Sequence, residues 1–325
     1  MRRRAVLASI GALAAAPARG QGPALRIGLL SIGAVPQRPV VWLPFFERMR
    51  ALGYEEGRTV TYLRGFAAGQ EALIEGMARE LVDARPALIV ITGAREALSV
   101  QRLGPPMPCV MIANPDPVGL GSVVSLARPG GRMTGLTTMD SELYGKRLEL
   151  LRELVPGLAR ACALTSGTSP IYRPGTAWAR ELEAAAGTLG IRLDVVQADA
   201  PDGTERAMAE AVAGGVGGLL VTFDGHYLAH RETVARAALR HRLPAIYGVS
   251  EFVAGGGLMS YSAKIADLSR RAADFADRIL RGADPATLPV ERPTTFQLTI
   301  NLAAARGIGL AVPATLLDRA DEVIE

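Results

Sequence analysis

Residues 86–116 read PALIVITGAREALSVQRLGPPMPCVMIANPD. Two unbroken apolar runs, 88–92 and 109–112, flank a stretch that Thr92-Gly93-Ala94-Arg95 opens as a helix. A strand that is apolar at every position, rather than at alternate ones, is buried on both faces, which is the condition inside a parallel sheet covered by helices. Outward from this unit the same rhythm repeats. Further strands are expected at 25–30, 59–63, 161–165, 193–197, 218–222 and 245–247, and helices with an apolar stripe at 45–52, 71–83, 142–154, 177–189, 229–240 and 265–280. Gly53 and Gly190 stand where two of those helices stop. The alternation runs to about residue 112 and restarts near 159, across a Pro/Gly-rich link at 127–138. The chain has 325 residues, more than one core comfortably serves, so the expectation is an α/β protein of two Rossmann-like lobes with parallel sheets.

The first twenty residues read as a secretory signal: Arg2, Arg3 and Arg4 precede an uncharged apolar run, 5–16, and small residues follow. Such a run is shorter than the roughly twenty residues that span a bilayer, so cleavage is expected, after Ala18 or after Gly20. Arg3-Arg4 with Leu7 resembles a twin-arginine signal, although three arginines are also ordinary for the general export route. The net charge of +4 falls to +1 without Arg2, Arg3 and Arg4, and to zero without Arg19, so no nucleic-acid partner is implied. The expected product is an exported, periplasmic, soluble monomer. Cys109 and Cys162, the two cysteines, lie in expected strands of different lobes and read as buried thiols.

In paired open α/β sheets, ligands bind at the carboxyl ends of the strands, so the loops there carry the candidate site. In the first half these are Ser31-Ile32-Gly33, Thr92-Gly93-Ala94-Arg95 and Asn114-Pro115-Asp116, with Thr138 at the end of the link. In the second half they are Ser166-Gly167-Thr168-Ser169, Asp224-Gly225-His226, and Tyr247 with Gly248-Val249-Ser250-Glu251. Small hydroxyl and glycine residues at helix starts suit an anionic group, although the same residue types also serve as plain helix caps. Arg95 is placed to pair with an acidic ligand group. Trp42, Tyr172 and Trp178 sit near helix starts and would stack on a flat ligand or simply pack.

Catalytic and metal signals are sparse. His226 and His230 share a helical face but have no third ligand, so no metal and no cofactor are expected. The chain has no G-x-S-x-G elbow, H-E-x-x-H or P-loop, and Arg128-Pro129-Gly130-Gly131 reads as a turn. An enzyme using Asp116 or Asp224 as a base is the alternative, without an evident partner for either carboxylate.

Residues 118–150 (VGLGSVVSLARPGGRMTGLTTMDSELYGKRLEL), 252–281 (FVAGGGLMSYSAKIADLSRRAADFADRILR) and the ending 296–325 resemble the ABC transporter substrate-binding protein family related to tryptophan-binding periplasmic proteins. Its motifs RPGG-x-x-TGL, KRLELL, GGLMSY and RADEVIE are present together. The resemblance implies a type I periplasmic binding fold with a hinge of crossing strands. Lobe 1 would comprise 25–135 with about 257–290, and lobe 2 would comprise 136–256 with about 291–325. It also implies a small amino-acid-like or carboxylate ligand, an ABC permease as partner, and no enzymatic activity; a ligand-presenting partner of a membrane sensor would use the same closure. The family's Asp-Pro-Val-Gly turn corresponds to Asp116 to Gly119 and its second-lobe Asp to Asp224, whereas Gly93-Ala94-Arg95 and Asp224-Gly225 stand where relatives commonly carry Gly-Thr-Pro and Asp-Pro.

Overall fold

The computed structural model describes residues 24–33, 39–167, 169–173, 175–199 and 202–325. The expected leader at 1–20, and Thr168, lie outside the described residues. The first sheet contains β1 (Leu25–Ser31), β2 (Val60–Phe66), β3 (Leu88–Ile91), β4 (Cys109–Asn114) and β5 (Met133–Thr137), all parallel, in the order β2-β1-β3-β4-β5. Its helices are α1 (Pro39–Ala51), α2 (Ile74–Asp83) and α3 (Ala94–Arg102), with a 3-10 turn, Glu71–Leu73, leading into α2.

The second sheet contains β6 (Arg160–Thr165), β7 (Arg192–Gln197), β8 (Gly218–Val221), β9 (Ala245–Tyr247), β10 (Met259–Ala263), β11 (Phe296–Asn301) and β12 (Glu322–Ile324). Their order is β12-β11-β10-β9-β8-β6-β7, and only the β10 to β11 pairing is antiparallel. The remaining helices are α4 (Asp140–Leu154), α5 (Ala177–Thr188), α6 (Asp202–Ala213), α7 (Gly225–Ala229), α8 (Arg231–Arg240), α9 (Glu251–Ala254), α10 (Ile265–Leu280), α11 (Leu302–Gly307) and α12 (Ala314–Leu317). The protein is thus two parallel-sheet α/β lobes, the type I periplasmic binding architecture.

Helix α10 returns to the first lobe. Its buried stripe, which includes Ile265, Leu268, Ala272, Phe275 and Ala276, packs on α1, β3, β4 and β5. Burying each large apolar side chain of this kind contributes about 1.5–3 kcal/mol. Arg48 to Asp274 (2.7 Å) and Tyr54 to Asp277 (3.0 Å) fasten its outer edge.

Three passes of the chain join the lobes: β5 into α4, β10 into α10, and the segment leading to β11. The third runs beside the first, with Thr137 N donating to Glu291 O (3.1 Å) and Glu291 N to Gly135 O (2.9 Å). Gly135 has φ +129°, and a Cβ there would lie 2.3 Å from Met111 O, so only glycine fits where β5 meets the irregular end of β4. Just past β5, Met139 is left-handed (φ 51°), turning the chain sharply into α4.

Several expectations require correction. Residues 259–263 lie within the second sheet as β10, not in lobe 1, because the lobe crossing comes after Ala263. The link at 127–138 contains strand β5, and the expected helix 229–240 is two helices meeting at His230. Helix α6 and strands β11 and β12 add elements that the apolar rhythm did not reveal.

Candidate functional site

The carboxyl ends of both sheets meet across a cleft holding about 530 Å³ of empty space that is open to solvent. Lobe 1 contributes Ile32, Glu71, Thr92, Gly93, Ala94, Arg95, Glu96, Ala113 and Pro115, and lobe 2 contributes Ser169, Pro170, Ile171, Tyr172, Phe223, Asp224, Gly225 and Leu228. Of the loops expected from the sequence, Ile32, Thr92, Gly93, Ala94, Arg95, Pro115, Ser169, Asp224 and Gly225 therefore face it, together with Tyr172.

The lobe 1 wall is stiffened from beneath. Glu96, on the first turn of α3, reaches back so that its Oε1 accepts from Thr92 Oγ1 (2.7 Å) and from the Ile32 N–H (2.9 Å). Ser31 Oγ lies 3.0 Å from Thr92 Oγ1 and accepts from the Gly33 N–H (3.2 Å). Ser31 is fully buried and so supports the wall rather than reaching a ligand. Arg95 leans on Glu71 (3.3 Å) and remains partly exposed to the cleft.

Asp224 dominates the opposite wall. Its carboxylate caps α7 by accepting from the His226 N–H (2.9 Å) and is hydrogen-bonded by the Ser166 side chain. Only 7% of the residue is exposed, and burial raises its pKa above the ordinary carboxylate value against the opposing pull of the His226 N–H, of Ser166 and of the Arg95 charge across the cleft. Tyr172 is anchored rather than mobile: its hydroxyl donates to Asp140 Oδ2 (2.7 Å), and its ring meets Tyr144 and Trp178 edge-on.

Other expected residues lie elsewhere. Asn114 is fully buried, with its Oδ1 accepting from the Asp116 N–H (3.2 Å), and Asp116 caps the next turn by accepting from the Gly119 N–H (2.8 Å). Thr138 is buried at the lobe crossing. Tyr247 points into the lobe 2 core, stacked on Phe252 with centroids 4.8 Å apart, because β9 is a central strand whose two faces are both covered. Ser250 and Glu251 line a separate groove with α1 and the β11 to β12 edge, and Gly33 lines an apolar cavity next to the cleft. Trp42 and Trp178 are core residues. Sequence reasoning passed over Glu71, Glu96 and Phe223. Glu71 had no signal, since it arrives from a 3-10 turn rather than from the end of a strand.

Among the described residues no group of three or more His, Cys, Asp or Glu is arranged for a metal, and His226 and His230 simply pack ring to ring at 5.2 Å. Cys109 and Cys162 are free, buried thiols, each pushed up to about 12 by burial. No helix among the described residues is long and apolar enough to cross a membrane.

The sequence pattern of the ABC transporter substrate binding protein family matches residues 44–324. The chain belongs to this family. Substrate binding proteins take up a small solute and work with an ABC permease; they are not enzymes. This substrate binding protein is similar to the tyrosine-binding protein of Clostridioides difficile (strain R20291), at 23% identity over 258 residues, covering 79% of this chain and 73% of that one. In structure it is similar to a conserved domain protein from Vibrio cholerae (25% identity, TM-score 0.82), covering 93% of this chain and all of that one. An ABC domain in complex with L-Trp from Streptococcus pneumoniae also shares the fold (21% identity, TM-score 0.79, the same coverage).

Proposed function

We propose that this substrate binding protein captures an amino acid outside the cytoplasmic membrane, closes its lobes around it and delivers it to an ABC permease for import. The carrying observation is the polarity of the cleft: Arg95 with the N-terminus of α3 on one wall, and the buried Asp224 on the other. A zwitterion fits that arrangement. Its carboxylate joins the Arg95 guanidinium beside Glu71 and the positive end of α3, while its ammonium brings a further cation to the buried Asp224. The tyrosine and tryptophan in the names of two similar proteins support the amino-acid class.

The way the lobes approach supports closure. A Cβ on Gly225 of lobe 2 would lie 3.2 Å from Ile32 of lobe 1, and one on Gly69 of lobe 1 would lie 3.1 Å from the Ala229 Cβ of lobe 2. The two walls therefore touch at small residues, and the three crossing segments are the pivot. Residues 1–20 supply the export signal.

Titration calorimetry with the twenty amino acids, small carboxylates and sugars tests the reading. Saturable heat with at least one amino acid is expected. Heat with sugars only, or chemical conversion of any compound, would overturn it.

A further inference from the structure

Beside the polar cleft lies a second interlobe cavity of different chemistry, whose roughly 310 Å³ of empty space includes open solvent at its mouth. Its walls are Ile32, Ala68 and Gly69 from lobe 1, and Gly225, Leu228 and Ala229 from lobe 2. Ile32, Gly225 and Leu228 line both spaces, so the two chambers adjoin and share a threshold at the contact of Ile32 with Gly225. Among the described residues Arg231 supplies the one charged side chain of this lining, and its guanidinium is turned to Leu228 O (3.5 Å) and to Glu232 (3.8 Å). Among the described residues no aromatic ring lines it; Tyr172 and Phe223 belong to the polar chamber.

Water in such a space finds few hydrogen-bonding partners, whereas hydrocarbon loses nothing by entering it. At the threshold the Ile32 side chain lies against Gly225, and the other lobe-to-lobe contact sets Gly69 against the Ala229 methyl, so a larger residue at either glycine would crowd the edge of the cavity. A molecule whose charged atoms lie between Arg95 and Asp224 reaches this space when the lobes part at the contact of Ile32 with Gly225.

We propose that this apolar cavity is the side-chain subsite, and that the ligand is an amino acid with a branched aliphatic side chain. The inference rests on the zwitterion reading of the cleft. The charged ends stay in the polar chamber, and the hydrocarbon passes the Ile32 and Gly225 threshold to pack on Ala68, Leu228 and Ala229. An aromatic side chain would find no ring to stack against there, and a carboxylate side chain would be desolvated against aliphatic walls.

The test is calorimetry on the full mature chain with glycine, L-alanine, L-valine, L-leucine, L-phenylalanine and L-glutamate. Affinity should rise from alanine to leucine by about tenfold or more, since one methylene in an apolar pocket is worth roughly 10–200-fold. Ala229→Leu adds hydrocarbon to the cavity and should lower the leucine-to-alanine affinity ratio by about tenfold; if this variant fails to fold, the wild-type series decides. Equal affinities across the aliphatic series, a preference for phenylalanine or glutamate, or an unchanged ratio in Ala229→Leu would each overturn the subsite. Heat with none of the six but with another amino acid also overturns the subsite and leaves the zwitterion reading intact. Heat with no amino acid at all defeats both.

Discussion

Two buried aspartates of lobe 2, Asp140 and Asp224, have opposite surroundings. Asp140, at the start of α4, receives three donors: Arg147 Nη2 (2.6 Å), Tyr144 Oη (2.6 Å) and Tyr172 Oη (2.7 Å). Arg147 extends the cluster by donating to Tyr261 O (2.8 Å) and Gly248 O (3.2 Å), so one buried ion pair ties the first lobe crossing to β10, the strand that leads into the second. Burial works against the Arg147 charge, but Asp140 keeps its pKa raised. Asp224 faces the cleft, caps the His226 N–H, is hydrogen-bonded by Ser166 and feels the charges of His226 and Arg95, yet burial dominates its pKa. A buried carboxylate that already has a fixed cation and a full set of donors belongs to the architecture. One whose pKa burial still raises against the pull of its neighbours is held in a state that a ligand cation can relieve.

This contrast can be broken in graded ways. Asp140→Ala should cost about 3–5 kcal/mol in denaturant unfolding, because it leaves the fully buried Arg147 charge without its partner. Asp224→Asn should do the reverse to stability and far more to binding. Amino-acid affinity should fall by the roughly 2–5 kcal/mol that follows loss of one member of a buried charge pair, while the thermal midpoint at neutral pH holds or rises. The sign follows from linkage. Because the folded state raises the Asp224 pKa, its contribution favours folding at acid pH and is lost as pH rises through that raised value, so the asparagine removes a penalty present at neutral pH. The same titration governs the ligand. Wild-type affinity should weaken as pH falls through the raised Asp224 pKa, since a proton competes with the ammonium, and calorimetry of Asp224→Asn should show that dependence flattened. The smallest effect separates two tyrosines on one oxygen. Tyr144→Phe and Tyr172→Phe should each cost about 1.5–3 kcal/mol of stability, the range for a hydrogen bond to a charged group, but only Tyr172→Phe should also weaken ligand binding, because Tyr172 alone lines the cleft.

The sequence made the central strands legible because their apolar runs are unbroken, and the cleft loops legible because they follow those strands. Thr92 to Arg95 and Asp224 were visible for that reason. The strands that escaped lack such runs. MTGLT in β5 and MSYSA in β10 are rich in hydroxyl and small residues, yet nearly every position is buried by the neighbouring strands. Because β10 was unseen, the boundary of lobe 1 was drawn too near the N-terminus of that stretch. Tyr247 followed the loop rule and still missed the cleft, since its side chain enters the core one residue before the chain turns. Glu71 reaches the site through a 3-10 turn, a route that strand and helix periods do not trace, whereas Tyr172 was legible as an aromatic ring near a helix start.

The return of α10 to the first lobe has a consequence for synthesis. Its apolar stripe supplies one wall for β3, β4 and β5, so the leading half of the chain has an uncovered sheet face until residue 280 has emerged. Such a half cannot seal into a finished unit while the ribosome is still at work on the rest.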